Sequence, residues 1–396
     1  MRVLLINAGS SSLKCSVMES GDRTVIAQAK ADWAGAVTRY ERTGPGTARV
    51  REQAGFREPG EAVRHALDDL AVASAPPRVR PAAVGHRIVH GGEFSTPVQI
   101  TAAVRARIAA LVELAPLHDP PGLEALAAAE SLLPDLPHVA VFDTAFHATL
   151  PAAARTYPVP HAWTDSWGIR RYGFHGLSHA YSATRAAELL ERPPVDLRLV
   201  ICHLGHGCSA TAVRRGESVG TTMGFTPLDG LMMATRSGSV DPGILTHVER
   251  RHGLGADAIE DALNHDAGLL GVSGISGDMR EVLAAARTGH ERARLAIAMY
   301  THRVRQAIGA LAVTLGGIDA LVFTAGVGEN AAEIRAASCQ GLQCMGVVLD
   351  AEANLRCHPD ADVAHPEAAV RILVIAARED LAMLSDVVRV VAHGRA

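Results

Sequence analysis

Of the 38 basic residues in the chain only two are lysines, Lys14 and Lys30, and the first closes the run Asn7-Ala8-Gly9-Ser10-Ser11-Ser12-Leu13-Lys14. Apolar residues 3–6 precede the run and residues 15–18 follow it, so it reads as a turn between two buried strands. Glycine and serine supply convergent backbone N–H groups and hydroxyls, an anion-binding arrangement to which Lys14 adds a compact point charge. An ordinary Gly/Ser hairpin turn has the same composition. A P-loop is excluded, because that motif needs G-x-x-x-x-G-K-[ST] between a strand and a helix.

Further residues able to do chemistry stand in glycine-rich loops where apolar runs end. Arg87 lies in the run Ala83-Val84-Gly85-His86-Arg87-Ile88-Val89-His90-Gly91-Gly92, and Asp143 follows the strand-like residues 139–142. His175 lies in Tyr172-Gly173-Phe174-His175-Gly176, ahead of a helical stretch. The run His203-Leu204-Gly205-His206-Gly207 again joins two apolar segments, and Gly326-Val327-Gly328-Glu329-Asn330 follows the strand-like residues 320–324. In α/β proteins ligands sit at such strand ends. Elsewhere in a chain a lone Arg or His is usually a surface cation or a satisfied buried group.

The elements that must position these residues follow from periodicity. Residues 21–60 alternate short β-like pieces with Gly/Pro breaks, and residues 61–73 have a helical period. Helices are expected over 101–113 and 123–132, flanking an exposed loop at 115–120 that prolines break. A long helix should span 291–315 and stop at Gly316-Gly317, followed by the strand 320–324, a turn at 325–330, a strand at 371–375 and a helix through Val388. Strand, small-residue turn, strand near the start of each half predicts two copies of one architecture facing each other across a cleft.

Length and composition narrow the class. The 396 residues suggest two or three domains, and 48% hydrophobic residues suffice for sizeable cores. No apolar stretch approaches the ~20 residues of a membrane span, and residues 1–7 carry no signal-peptide apolar region, so a cytoplasmic protein without a membrane partner is expected. The six cysteines form no C-x-x-C pair and no zinc spacing, as expected of free thiols. A net charge of −4 with interspersed signs, and 4% aromatic residues, argue against a nucleic-acid partner.

Nine segments in order, residues 7–14, 86–92, 114–120, 142–147, 172–179, 203–207, 222–242, 273–280 and 323–335, resemble the acetate kinase (acetokinase) family. That family belongs to the superfamily of acetate and sugar kinases, heat-shock chaperones and actin. The resemblance implies an α/β fold of two ribonuclease-H-like, actin-like ATPase domains around a central nucleotide cleft. These would be 1–146 with 377–396, and 147–376. It implies reversible, direct in-line phosphoryl transfer from ATP to acetate, giving acetyl phosphate and ADP, by a homodimer.

The resemblance also implies roles. Arg87, Asp143, His175 and Arg236 would be catalytic, and Arg87, Val89, Leu117, Phe174 and Pro227 would bind the acid. Ser10, Ser12, Lys14, His203, Leu204, Gly205, His206 and Gly207 would meet ATP, with Asp278, Met279, Arg280, Gly326, Val327, Gly328, Glu329 and Asn330. Asn7 and Glu379 would approach Mg²⁺, with Mn²⁺ as an alternative, and Asp143 would orient an arginine or a metal-bound water. The chain departs from the family pattern where His206 replaces a usual Asn, Gly220 and Ser239 each a usual Asp, and Arg378-Glu379-Asp380 an Asn-Glu-Glu run. Two alternatives share the fold: a kinase for propionate or another short acid, or one using a donor such as pyrophosphate. A non-catalytic nucleotide switch is a third reading, against which Arg87, Asp143, His175 and Arg236 argue.

Overall fold

Three apolar runs, at residues 2–8, 83–88 and 138–142, become parallel neighbours at the middle of one sheet. The computed structural model describes residues 1–9, 12–33, 37–44, 49–70, 80–113 and 119–393. It divides into two units, Met1–Ala145 with Arg378–Ala396, and Phe146–Ala377.

The first unit contains β1 (Arg2–Ala8), β2 (Ser12–Glu19), β3 (Val25–Asp32), β4 (Thr38–Thr43), β5 (Val50–Ala54), β6 (Ala83–Ile88), β7 (Val98–Gln99) and β8 (His138–Phe142). Among the described residues they form one sheet in the order β5-β4-β3-β2-β1-β6-β8-β7. The β1–β2 hairpin keeps a continuous antiparallel register from Arg2↔Glu19 to Ala8↔Leu13. Both faces of the sheet are covered, which is why its central strands are apolar throughout. Leu4 and Ile6 pack on one face with Ala62, Val63 and Ala66 of the helix Pro59–Asp69 and Ala125 and Ala129 of the helix Asp119–Leu132. On the other face, Gly85 lets the helix Glu379–His393 approach: a Cβ there would lie 2.5 Å from Val387 and 2.9 Å from Leu5.

The second unit contains β9 (Arg198–Leu204), β10 (Cys208–Arg214), β11 (Glu217–Thr221), β12 (Ala320–Thr324), β13 (Ala361–Asp362) and β14 (Arg371–Val374), in the order β11-β10-β9-β12-β14-β13. Its antiparallel trio followed by parallel β12 and β14 repeats the arrangement β3-β2-β1-β6-β8 of the first unit. The long helix Glu291–Leu315 buries Ala293, Ala296, Tyr300, Val304, Ile308, Leu311 and Leu315, a spacing of three and four residues along one face, and ends at Gly316 with φ 71°.

Two local expectations are corrected. The helix Asp119–Leu132 begins inside the stretch read as an exposed loop, with Pro120 and Pro121 in its first turn, where a missing N–H costs no helical hydrogen bond. Residues 325–330, read as a turn, form the short helix Ala325–Asn330. No helix among the described residues is long and apolar enough to cross a membrane.

Candidate active site

In the first unit the parallel strands bring three polar residues to one sheet edge. Asn7 is near the end of β1, Arg87 near the end of β6, and Asp143 directly follows β8. Arg87 grips Asp143 with both arms of its fork: Nε donates to Oδ1 at 3.0 Å and Nη2 to Oδ2. Its Nη1 donates to Asn7 Oδ1 at 3.0 Å, while Asn7 Nδ2 donates to Glu379 Oε2 at 3.4 Å. Burial opposes the Arg87 charge, but Asp143 and Glu379 outweigh it and hold the guanidinium pKa above its ordinary value. Gly91 lies against Asp143's neighbours, where a Cβ would come within 2.8 Å of Phe142 and 2.9 Å of Thr144 Oγ1.

The hairpin turn contributes Gly9 and Ser12, linked by a 2.8 Å backbone hydrogen bond from Gly9 N to Ser12 O. Together with Asn7, Lys14, Lys30 and Arg87 they line a cavity of about 640 Å³. Lys14 and Lys30 face each other across β2 and β3, and Lys14 Nζ pairs with Asp380 at 3.3 Å. Burial works to raise the Asp380 pKa, yet Lys14 and Arg378 hold it below the usual carboxylate value. Ser10 and Leu117 lie outside the described residues.

In the second unit the β9–β10 turn is the meeting point. A Cβ on Gly207 would lie 3.2 Å from His175 Nε2 and 3.6 Å from Arg236 Nη1, and one on Gly205 would lie 3.4 Å from His203 Nε2. A side chain at Gly207 would crowd the His175 ring. The His175 and His203 rings stack with centroids 4.0 Å apart. His175 stands in the left-handed region, φ 57°, as the residue before the helix Gly176–Leu189. Arg236 Nη1 donates to Pro227 O at 3.2 Å, and burial lowers the guanidinium pKa. His206 is exposed in the turn, and its pKa lies below the imidazole norm through partial desolvation and the Arg236 charge. It is therefore neutral near pH 7.

Beside this turn opens a cavity of about 1170 Å³, lined by Gly205, His206, Asp278, Arg280, Gly326 and Asn330 among others. Asp278 caps the helix Met279–Arg287 by accepting from Arg280 N at 2.8 Å. Asn330 Nδ2 donates to Gly326 O at 2.8 Å and ties the far wall.

A divalent cation of the magnesium type prefers oxygen ligands, keeps several waters and takes few from protein. The Asn7 amide and the Glu379 carboxylate, beside Asp143, fit that donor chemistry. Among the described residues the one His/Asp/Glu triple close enough to share an ion, Glu52, His65 and Asp69, belongs instead to β5 and the helix Pro59–Asp69. There Arg42 already pairs with Asp69 at 3.3 Å.

The model of the acetokinase family matches residues 2–385. The chain belongs to the acetokinase family. It is 48% identical over 401 residues to the acetate kinase of Cyanothece sp., covering 98% of this chain and 97% of that one. It is 47% identical over 406 residues to the acetate kinase of Gloeobacter violaceus, covering 98% of each. Two crystal structures are similar over nearly all of both chains. Porphyromonas gingivalis acetate kinase has a TM-score of 0.88 at 38% identity and covers 98% of this chain and 99% of that one. A propionate kinase from Francisella tularensis has 0.91 at 36%, with the same coverage.

Within this acetokinase-family fold the residues named from sequence fall into separate groups. Asn7, Arg87, Asp143 and Glu379 are joined by hydrogen bonds in the first unit, with Ser12 and Lys14 beside them and Val89 buried one residue past β6. In the second unit His175, His203, Gly205, Gly207, Arg236 and Pro227 adjoin one turn, and Phe174 is buried next to His175. Met279 and Val327 join the cavity lining, whereas Leu204 and Gly328 pack behind it and Glu329 accepts from Ala377 N at 2.8 Å.

Sequence reasoning missed Thr235, Gly277, Leu283 and Ala331 in the cavity wall, and Asp119 and Arg335 behind the loops. Arg335, 2% exposed, donates to Gly328 O and Glu329 O and so holds the 325–330 helix. Asp119 accepts from His90 N at 2.9 Å through Oδ1, and its other oxygen is buried without a partner among the described residues. Burial pushes its carboxyl up to about 7. Adjacency of Gly277 to Asp278 was the one available signal for the wall; nothing local marked Arg335.

Proposed function

We propose that the chain transfers the γ-phosphoryl group of ATP to acetate, giving acetyl phosphate and ADP, and runs the reverse reaction. The observation that carries this reading is the convergence of His175 Nε2 and Arg236 Nη1 on Gly207, beside a cavity large enough for a nucleotide. A nucleotide switch would not need these groups at the phosphate end. A carboxylate is already a nucleophile, so no strong base is required. One acetate oxygen attacks Pγ in line, the bond from Pγ to the bridging β-phosphate oxygen breaks, and ADP leaves with that electron pair.

The residues hold two anions together and spread the charge of the transferred group. Arg87 is supported by Asp143 and Asn7 so that its guanidinium stays charged and oriented toward the acid. His175 and Arg236 donate to the equatorial oxygens, and the β9–β10 turn with His203 receives the phosphates. Asn7 and Glu379 would hold Mg²⁺ or Mn²⁺, which when bound neutralises phosphate charge. Arg280, Gly326 and Asn330 flank the nucleoside, which favours ATP over pyrophosphate.

Val89, Phe174 and Pro227 are each buried apolar residues suited to a small, methyl-bearing acid; one methylene is worth about 1–3 kcal/mol, so propionate is a slower substrate. Unpaired cysteines, four of them buried, accord with the cytoplasm, and exposed Ile244, Leu295 and Met299 accord with a homodimer. Hydroxylamine trapping with acetate, propionate and butyrate against ATP and pyrophosphate tests the reading. The expected order is acetate above propionate above butyrate with ATP, and no acyl hydroxamate from any pair would overturn it.

A further inference from the structure

We infer that Ser209 and His179 keep the proton of His175 on Nε2, so that this ring presents a hydrogen-bond donor to the transferred phosphoryl group. The inference rests on the kinase reading for its consequence, but not for its geometry. Ser209, on β10, has its Oγ 2.9 Å from His175 Nδ1 and 2.8 Å from His179 Nε2. A hydroxyl carries one proton, and this one has no third partner among the described residues. Ser209 is fully buried, so its O–H would be orphaned unless it donates to one of the rings, and the other ring then donates to its oxygen.

His179 decides which. It is fully buried, and its Nδ1 has no hydrogen-bond partner among the described residues. Burial, then the neighbouring His147 and His203, depress its pKa well below the imidazole norm, so it carries a single proton. On Nδ1 that proton would make an orphaned buried N–H, which native structures rarely contain. On Nε2 it donates to Ser209 Oγ. The Ser209 hydroxyl then donates to His175 Nδ1, and the proton of neutral His175 belongs on Nε2, the atom facing Gly207 beside Arg236.

The same device recurs nearby, where its sense is fixed independently. His147 Nε2 lies 3.0 Å from Phe174 O, a group that only accepts, so neutral His147 is protonated on Nε2 and its Nδ1 accepts from Ser218 Oγ at 2.8 Å. His203 Nδ1 likewise has Ser178 Oγ at 2.8 Å. A serine on Nδ1 thus accompanies each of the three histidines. Ser209 and His179 are positioning residues: they act through His175 and do not touch the substrate.

The test is the tautomer of His175 in the full-length, ¹⁵N-histidine-labelled protein without substrate. It is read at about pH 8, where ordinary imidazoles are neutral, from long-range ¹H–¹⁵N spectra and assigned by the signal lost in His175→Asn. The wild type should show the Nε2–H pattern. Ser209→Ala should move population to Nδ1–H and lower kcat roughly tenfold or more, with KM for acetate and ATP within about twofold. Ser209→Thr keeps the hydroxyl and His179→Gln keeps an N–H donor at the Nε2 position; both should retain the Nε2–H pattern and most of kcat. Wild-type His175 protonated on Nδ1, or Ser209→Ala with tautomer and kcat unchanged in a folded protein, would overturn the inference. Because the spectrum needs no turnover, a wild type that forms no acyl hydroxamate would sink the kinase reading and leave the relay standing.

Discussion

Arg87 and Arg236 are both half-buried arginines near the proposed chemistry, but they are held differently. Arg87 is locked in a carboxylate fork, whereas Arg236 donates to a backbone carbonyl, Pro227 O, and approaches the Met233 thioether at 3.8 Å. Burial lowers the Arg236 pKa, whereas Asp143 and Glu379 hold that of Arg87 up, and Arg236 is the group proposed to meet charge that develops during transfer. Arg236→Ala should lower kcat by about 10²–10³ while the thermal transition stays close to wild type. Turnover near the wild-type level would remove it from the mechanism. Arg236→Lys should recover little, since a point charge lacks the planar fork.

Asp119 gives a stability prediction with a definite sign. Its folded pKa, about 7, lies above the unfolded value of about 3.9, so between those values the native state holds a proton that the unfolded state has lost. Stability therefore falls as pH rises through that window and is lowest above it. Asp119→Asn keeps the acceptor for His90 N and removes the buried charge. Its melting temperature should exceed the wild type's at about pH 8 and match it near pH 4, as read by calorimetry; an equal difference at both would contradict the buried-carboxyl account.

At the scale of elements, the seat of the helix Glu379–His393 depends on one missing methyl group. Gly85→Ala would drive its Cβ into Val387 and Leu5, an overpacking that typically costs about 1–3 kcal/mol. Denaturant titration should show that loss, and Val387→Ala in the same chain should return part of it, a coupling that a double-mutant cycle measures. Because Glu379 opens this helix, the Gly85 variant should also weaken metal dependence more than nucleotide binding. The short helix Ala325–Asn330 makes a related point. Its last carbonyls are satisfied by Arg335 from the following helix Ala332–Cys339, a partner invisible to any local rule for Gly-x-Gly turns.

For the whole molecule, the proposed reaction makes ligand and metal measurable through stability as well as rate. ADP at about a hundredfold over its Kd should stabilise the protein by about 2.7 kcal/mol by mass action. Chelation with EDTA should abolish turnover and reduce that stabilisation, and either Mg²⁺ or Mn²⁺ should restore both. Full activity in EDTA would remove Asn7 and Glu379 from the metal role.

The chemistry-bearing turns, the paired strand–turn–strand design and the long helix 291–315 were legible because each depends on residues close in sequence: apolar period, glycine breaks and polar strand ends. What assembled the candidate site was not. Asn7, Arg87 and Asp143 meet only because β1, β6 and β8 are parallel neighbours, and Glu379 joins them only because Gly85 admits the last helix. Asp119 and Arg335 acquired their states from burial, and the proton on His175 from Ser209 and His179. The sequence by itself determined which side chains could bind phosphate and acid; the tertiary structure decided their partners, charge and proton positions. Those properties arise from long-range contacts and desolvation, which no local pattern of residues encodes.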